Sequence, residues 1–285
     1  MISAVPCRPL ALCLLAFLAT GCADAPLPEA PPSDVLPSEA VPAETSPGDA
    51  AARALVDRAI AAHGGDVLEH AEVAFVFRGT PYTLRRDGGR FAYVRTTAES
   101  LGSRVEDVID NDGLRRFVDG VAVPLDPVEA GRTNTTVNSV AYFALLPFPL
   151  RDTAVRLRAL GPDTLRGIPY ERVEVTFAPE GGGQDWQDRY LYWLHPEAHT
   201  VDFLAYPYEL GANETGPAAT GSRFREAVDA RTVGGVRVQD YLNHTAFVAR
   251  LEDYAGAFRA DTLRLLSEIR LDSVRVRPLP PGAGW

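Results

Sequence analysis

The chain contains no lysine: its 28 basic side chains are all arginines, set against 38 acidic ones, for a formal net charge of -10 at pH 7. An acidic chain of this kind repels phosphate backbones and anionic headgroups, which argues against nucleic-acid binding and against electrostatic docking on lipid. Cysteine occurs only as Cys7, Cys13 and Cys22. A mature chain beginning at Cys22 would keep one thiol, which excludes internal disulfides, thiolate metal sites and a cysteine nucleophile from the folded part. There is no G-x-S-x-G elbow, and Gly181-Gly182-Gly183 lacks the spaced glycines and the lysine of a phosphate loop. No cofactor is implied.

The one N-terminal apolar run, Leu10 to Thr20 behind Arg8, is 11 residues long. That is short of the ~20 a spanning helix requires and suits the h-region of a signal peptide. It ends in Leu18-Ala19-Thr20-Gly21-Cys22, which resembles a bacterial lipobox with the large aliphatic residue one place further upstream than usual. The expectation is a signal peptide over 1–21 and lipidation of Cys22, with simple secretory cleavage as the alternative. From Ala23 to Ala50 follow seven prolines and six acidic residues without a basic or aromatic side chain. Such a segment cannot bury enough apolar surface to offset its ordering entropy, so 22–48 reads as a disordered, proline-stiffened tether. Residues 49–285 then form one β-rich domain.

That domain opens with a helix. Ser46-Pro47 makes an N-cap and N1 pair, Leu55, Val56, Ala59 and Ile60 form a stripe, and Gly64-Gly65 end it, with His63 as a packed or capping residue. Period-two strands follow in quick succession, "VAFVFRG", "YTLRRD", "RFAYVRT", "RVEDVIDN" and "LRRFVDG", separated by short glycine turns. Asp110-Asn111-Asp112-Gly113 is superficially like a calcium loop. Aligning Gly113 with the invariant glycine puts Val108 at the first ligand position and Asp119 at the last, so a hairpin turn is the better reading.

In the middle, Asp126-Pro127 starts a short helix and "TVNSVAYFALLPFPL" follows, with apolar residues from Val137 to Leu146 covering the whole circumference of a second helical segment, 135–146. A helix apolar all round is normally buried, here inside the curve of a sheet, as core or as a lid over a cavity. More strands run from "TAVRLRAL" to "VRVQDYLNH". Phe247, Leu251, Tyr254 and Phe258 mark an amphipathic helix, and "SEIRLDSVRVRP" closes the chain as one strand with a β-bulge at Asp272-Ser273.

His195-Pro196-Glu197-Ala198-His199 carries two histidines at the helical spacing of a zinc motif. Pro196 and the flanking alternation instead fit a hairpin, with Tyr190, Tyr192 and Leu194 on one face and Val201, Phe203 and Ala205 on one face of the return. A metal-dependent hydrolase would need His195, His199 and a carboxylate such as Glu197 or Asp202 to converge.

The lipobox, the acidic tether, "AHGG", "FRGTPYTLRRDGGRFAYVR", "LYWLHPEAHTVDFLAY" and "GGVRVQDYL" together resemble a family of uncharacterised bacterial envelope lipoproteins over about residues 50 to 278. These are similar in element order to the LolA/LolB group of lipoprotein carriers and receptors. The resemblance implies a half-barrel around an apolar cavity covered by helices, and acyl-chain binding without chemistry. This chain departs from the carrier in having a lipobox of its own, as the receptor does, and in its longer loops.

The reading is therefore a mainly β, α+β fold, a strongly curved antiparallel sheet or half-open barrel of about a dozen strands, with helices covering its concave face. Its function is that of a monomeric envelope lipoprotein, held to a membrane through Cys22 and facing the periplasm or outer membrane, that binds an acyl lipid or other hydrophobic ligand. A protein-interaction scaffold without a cavity is the alternative. Candidate ligand contacts are Phe75, Phe77, Tyr82, Tyr93, Trp193 and Phe203, with Tyr142 and Phe143 from the covering helix; Arg78 and Arg95 are candidates for a headgroup.

Overall fold

The computed structural model describes residues 47–98, 102–180, 187–210, 219–280 and 282. The expected signal peptide, Cys22, the expected tether up to Ser46 and Gly181-Gly182-Gly183 lie outside them.

Helix α1 (Pro47–Ala62) begins on a proline, whose missing N–H costs nothing in the first turn, and buries Ala52, Val56, Ala59 and Ile60 along one stripe. A single turn, α2 (Gly65–Leu68), leads into a meander of β1 (His70–Phe77), β2 (Thr80–Asp87), β3 (Arg90–Ala98), β4 (Arg104–Asp110), β5 (Gly113–Val118) and the short β6 (Val121–Val123). After α3 (Pro127–Ala144) comes a second meander, β7 (Val155–Leu165), β8 (Ile168–Phe177), β9 (Tyr190–Leu194), β10 (Val201–Leu210), β11 (Ala219–Val233), β12 (Val236–Thr245) and β13 (Arg264–Ile269). The last strand, β14 (Asp272–Pro278), returns to pair with β1.

The result is two antiparallel sheets of seven strands, ordered β14-β1-β2-β3-β4-β5-β6 and β13-β12-β11-β10-β9-β8-β7, which together form a curved, unclosed half-barrel. The two sheets share a core in which Val73, Phe75, Tyr82 and Leu84 of the first meet Val173, Tyr192, Leu204 and Val238 of the second. On its other face the second sheet carries a separate cluster. There Trp193, Phe203 and Phe224 pack against Leu251, Tyr254 and Ala255, from a 3-10 turn (Leu251–Asp253) and α4 (Tyr254–Arg259).

Four expectations are corrected. The closing segment is two strands rather than one bulged strand. Its change of phase marks the point where the chain leaves β12 as partner and joins β1, a corner held by Leu271, whose N–H donates to Asp240 Oδ1 (3.0 Å) and whose carbonyl accepts from Arg231 Nη2 (2.5 Å). In the return strand of the His195 hairpin, Val201 pairs with Leu194 and Phe203 with Trp193, so a bulge at Asp202 sends Val201 to the shared core and Phe203 to the opposite cluster.

The middle is one continuous helix that starts at Pro127, with the Asp126 carboxylate accepting from the amides of Val128 and Glu129 (both 2.9 Å). It is amphipathic: Thr133, Val137 and Ala141 are buried while Arg132, Thr135, Thr136 and Ser139 are exposed, and Leu145 and Leu146 belong to the turn beyond it. The late helical segment begins at Leu251, leaving Phe247 fully exposed outside it.

Candidate functional site

In the chain α3 connects β6 and β7, the outer strands of the two sheets, and it packs against β3 and β4 of the first sheet. Its N-terminal half is tied to the first sheet through a cross-strand triad. Arg95, Asp107 and Arg116 stand opposite one another on β3, β4 and β5; the fully buried Asp107 accepts from Arg95 Nη2 and Arg116 Nε, each at 2.6 Å. Arg116 also reaches Glu129 and, at 3.4 Å, Thr133 Oγ1 on the helix. At the helix's other end the phenolic oxygens of Tyr142 and Tyr192 lie 2.9 Å apart, inside a group of rings that includes Phe143, Tyr190 and Tyr206. Burial pushes the Tyr142 and Tyr192 phenols well above their ordinary range, so both are neutral.

Beneath the C-terminal half of α3 a cleft of about 200 Å³ opens where the two sheets meet. The helix supplies Ser139, Val140, Phe143 and Ala144, the end of β1 supplies Phe77 and Arg78, and the β13–β14 corner supplies Ile269 and Leu271. The second sheet contributes Arg225, Gln239, Tyr241 and Asn243. Gln239 is fully engaged, donating to the Val201 carbonyl (2.7 Å) and to Tyr241 Oη (2.9 Å) and accepting from Arg237 Nε (3.1 Å). Asn243 donates to Ser267 Oγ at 3.2 Å, while its own Oδ1 is buried without a partner.

Arg225 is the unusual member. It stands on β11 opposite Asn243, is only 9% exposed, and has its guanidinium carbon 3.7 Å from the centre of the Phe143 ring and 5.0 Å from that of Tyr206. Its Nε is buried without a hydrogen-bond partner. Among the described residues no carboxylate lines the cleft.

Of the residues singled out in the sequence, Phe77, Arg78 and Phe143 meet at this cleft. Phe75 and Tyr82 stack on each other (5.6 Å between centroids) in the shared core, and Tyr93 accepts from Arg86 Nη1 at 2.8 Å. Arg95 is committed to Asp107, and Tyr142 lies beside the cleft in the tyrosine group. Trp193 and Phe203 sit on the far face of the second sheet with Phe224, Tyr170 and Phe258. Sequence reasoning missed Arg225, Tyr241 and Asn243. An arginine between Phe224 and Glu226 in a strand reads as a solvated residue, and nothing local marks it otherwise.

The two hairpin histidines do different work. His195 Nδ1 accepts from the amides of Glu197 (3.2 Å) and Ala198 (3.1 Å) and so latches the turn, while His199 takes a left-handed backbone at φ 58°. Among the described residues no three of His, Cys, Asp and Glu converge as a metal-binding group. His63 is buried and accepts from the Val201 amide through Nε2 at 3.2 Å; burial, with help from Arg237, pushes its pKa down to about 3.

A family model described as a family of unknown function, DUF6503, matches residues 45–261. No curated protein matches the sequence. Among solved structures the chain is similar to a DUF1329 family protein from Desulfovibrio piger (TM-score 0.32, 11% identity, covering 79% of this chain and 92% of that one). It is also similar to a putative outer membrane lipoprotein-sorting protein domain from Vibrio parahaemolyticus (0.35, 8%, 79% and 93%) and to MucB (0.25, 18%, 82% and 70%). At these scores the likenesses carry no argument about activity.

Proposed function

We propose, on the premise that the chain belongs to the DUF6503 family and takes no assigned activity from it, that it is a cell-envelope lipoprotein whose cleft under α3 binds a hydrophobic ligand without chemistry. The observation that carries this reading is the make-up of the cleft. Three separate elements present Phe77, Val140, Phe143, Ile269 and Leu271 to one space, and most of the polar groups, Arg225, Gln239, Tyr241 and Asn243, come from the second sheet, with Ser139 from the helix and Arg78 from the end of β1. Pockets of that composition bury apolar ligand surface and use sparse polar groups to orient it. The covering helix is tied at its N-terminal half by the Arg116–Glu129 pair and at its other end by the Tyr142–Tyr192 phenol pair, the buried Val137 and Ala141, and the packing of Phe143 against Tyr206 and Arg225.

Anchoring through an acyl group on Cys22 completes the reading. A tether of 24 residues from Ala23 to Ser46 would then span ~75 Å if fully extended as polyproline II and ~27 Å as a flexible coil, enough to hold the cleft clear of the bilayer surface.

Native mass spectrometry of the purified protein, followed by organic extraction, tests the binding. A stoichiometric apolar adduct that is lost in a folded Val140→Asp variant is the expected result. A clean apo mass that takes up no added amphiphile would overturn it. The anchor is tested separately, since Cys22→Ala would move the protein from the membrane to the soluble fraction.

A further inference from the structure

Several arginines among the described residues that are partly shielded from water are matched with carboxylates, while Arg86, whose Nε is also buried without a partner, donates to Tyr93 Oη and stacks on Phe148. Arg95 and Arg116 share Asp107, Arg172 faces Asp163 at 3.7 Å, Arg189 joins Glu174 and Glu252, and Arg231 lies 3.3 Å from Asp240. Arg225 is more deeply buried than most of these, yet its Nε is buried without a hydrogen-bond partner among the described residues. A buried charge without a partner is costly, and the faces of Phe143 and Tyr206 compensate only its ring-facing side. The N–H edge of a guanidinium is a fork that fits the two oxygens of a carboxylate or phosphate.

Its surroundings point the same way. Arg225 faces the cleft, where among the described residues the only other charged side chain is Arg78, so the described lining is cationic within a protein of net charge -10. Tyr241, whose oxygen already accepts from Gln239, retains its own O–H to give. Strand alternation turns the adjacent Glu226 to the opposite face, where it pairs with Arg166. The volume, about 200 Å³, is below the ~300 Å³ at which ordinary ligand pockets begin, which suits one chain better than the two of a diacyl lipid.

We infer that Arg225 is the counter-ion for the ligand's head, and that the cleft takes a single-chain amphiphile ending in an oxyanion, its chain lying against Phe77, Val140, Phe143 and Leu271. This deepens the apolar-ligand reading and rests on it. The ligand completes the ion pair that the chain leaves open, and α3 closes over it because Phe143 is both a wall of the cleft and the face on which Arg225 stacks.

Titration calorimetry of the purified protein with decanoate, decyl phosphate, decanol and inorganic phosphate separates the two claims. The expected result is that both decyl anions bind roughly 10- to 100-fold tighter than decanol, the span associated with hydrogen bonds to a charged partner. Arg225→Met should abolish that preference while leaving decanol binding unchanged, and Arg225→Lys should restore part of it. The melting temperature of the ligand-free Arg225→Met protein should be equal to or above that of the parent, whereas a residue needed only for structure would lower it. Equal binding of decanol and decanoate by the parent protein would overturn the anionic head while sparing the apolar-ligand reading, a comparison that needs no variant to fold. Preference retained in Arg225→Met would overturn the role of Arg225. Inorganic phosphate binding as tightly as decyl phosphate would overturn the amphiphile, and binding of none of the four would overturn both readings.

Discussion

Tyr142 on the covering helix and Tyr192 on the second sheet share one hydrogen bond, 2.9 Å between their phenolic oxygens, in surroundings that hold both phenols neutral. Tyr192 is fully buried, so removing its partner strands a polar group in the core. Tyr142→Phe should therefore cost about 1–3 kcal/mol, and adding Tyr192→Phe should return part of that cost because the stranded oxygen goes too. Urea unfolding of the two single variants and the double variant checks this. Strict additivity would show that the two oxygens do not bond. Because the bond is the polar tie between this end of α3 and the sheet, Tyr142→Phe should also speed ligand exchange from the cleft more than it changes affinity.

His63 makes stability depend on acid. With its pKa pushed down to about 3 by burial, the folded protein refuses a proton that the unfolded chain accepts below about 6.5. In that window the unfolded state binds more protons, so stability rises with pH: this contribution is fully present above about 6.5 and is lost as pH falls toward 3. The span corresponds to roughly 5 kcal/mol. His63→Asn should flatten the stability profile between pH 6.5 and 4, measured as denaturant midpoints. An unchanged slope would assign the acid sensitivity to carboxylates.

Asp107 holds Arg95 and Arg116 on the neighbouring strands, and through Arg116 it holds the first half of α3. Replacing it with alanine leaves two shielded guanidinium groups facing each other, a change expected to cost about 3–5 kcal/mol. Hydrogen exchange in Asp107→Ala should show lost protection in Pro127–Thr136 before any loss in β9–β12. Uniform loss across both sheets would mean that the triad supports the whole fold rather than the helix.

Periodicity and turn chemistry expose most of the strands, because most hairpins carry a glycine or Asn-Asp signal, the His195 hairpin carrying Pro196 instead, and strands such as β1 and β4 of the first sheet alternate. Val73, Phe75 and Phe77 against Glu72, Ala74 and Val76 is such a case. What they do not expose is direction. The second sheet is covered on both faces, so the alternation of Phe224, Arg225 and Glu226 separates two sides without saying which one faces the cleft. The same ambiguity made Trp193 and Phe203 candidate ligand contacts beside Phe143. A one-residue change of phase is equally silent about cause. At Asp202 it is a bulge within one strand, whereas between Ile269 and Val274 it is the passage from one sheet to the other, and only the long-range pairing of β14 with β1 distinguishes the two. Arg225 was hidden for a related reason, since an unpaired buried arginine is defined by the absence of a neighbouring acid in space.

Gly64 stands where the end of α1 crosses the β11–β12 turn, and its backbone is left-handed at φ 82°. A Cβ there would overlap the carbonyl oxygen of Gly235 and come within 3.0 Å of Val236 Cα, both backbone atoms that cannot swing aside. Gly120, between β5 and β6, has the same φ of 82° but nothing within 4 Å of its would-be Cβ. The pair separates two costs. Gly120→Ala should pay only the conformational strain, about 1–2 kcal/mol. Gly64→Ala should add an overpacking cost of about 1–3 kcal/mol, and it should also shift His63, whose carbonyl accepts from the Arg237 amide at 3.1 Å. Calorimetric melting of the two variants side by side tests this, and equal destabilisation would mean that α1 can slide away from the turn. If it cannot, the contact of Gly64 with Gly235 fixes the height at which α1 seats on the second sheet, and with it the position of the β12 floor from which Gln239, Tyr241 and Asn243 reach the cleft.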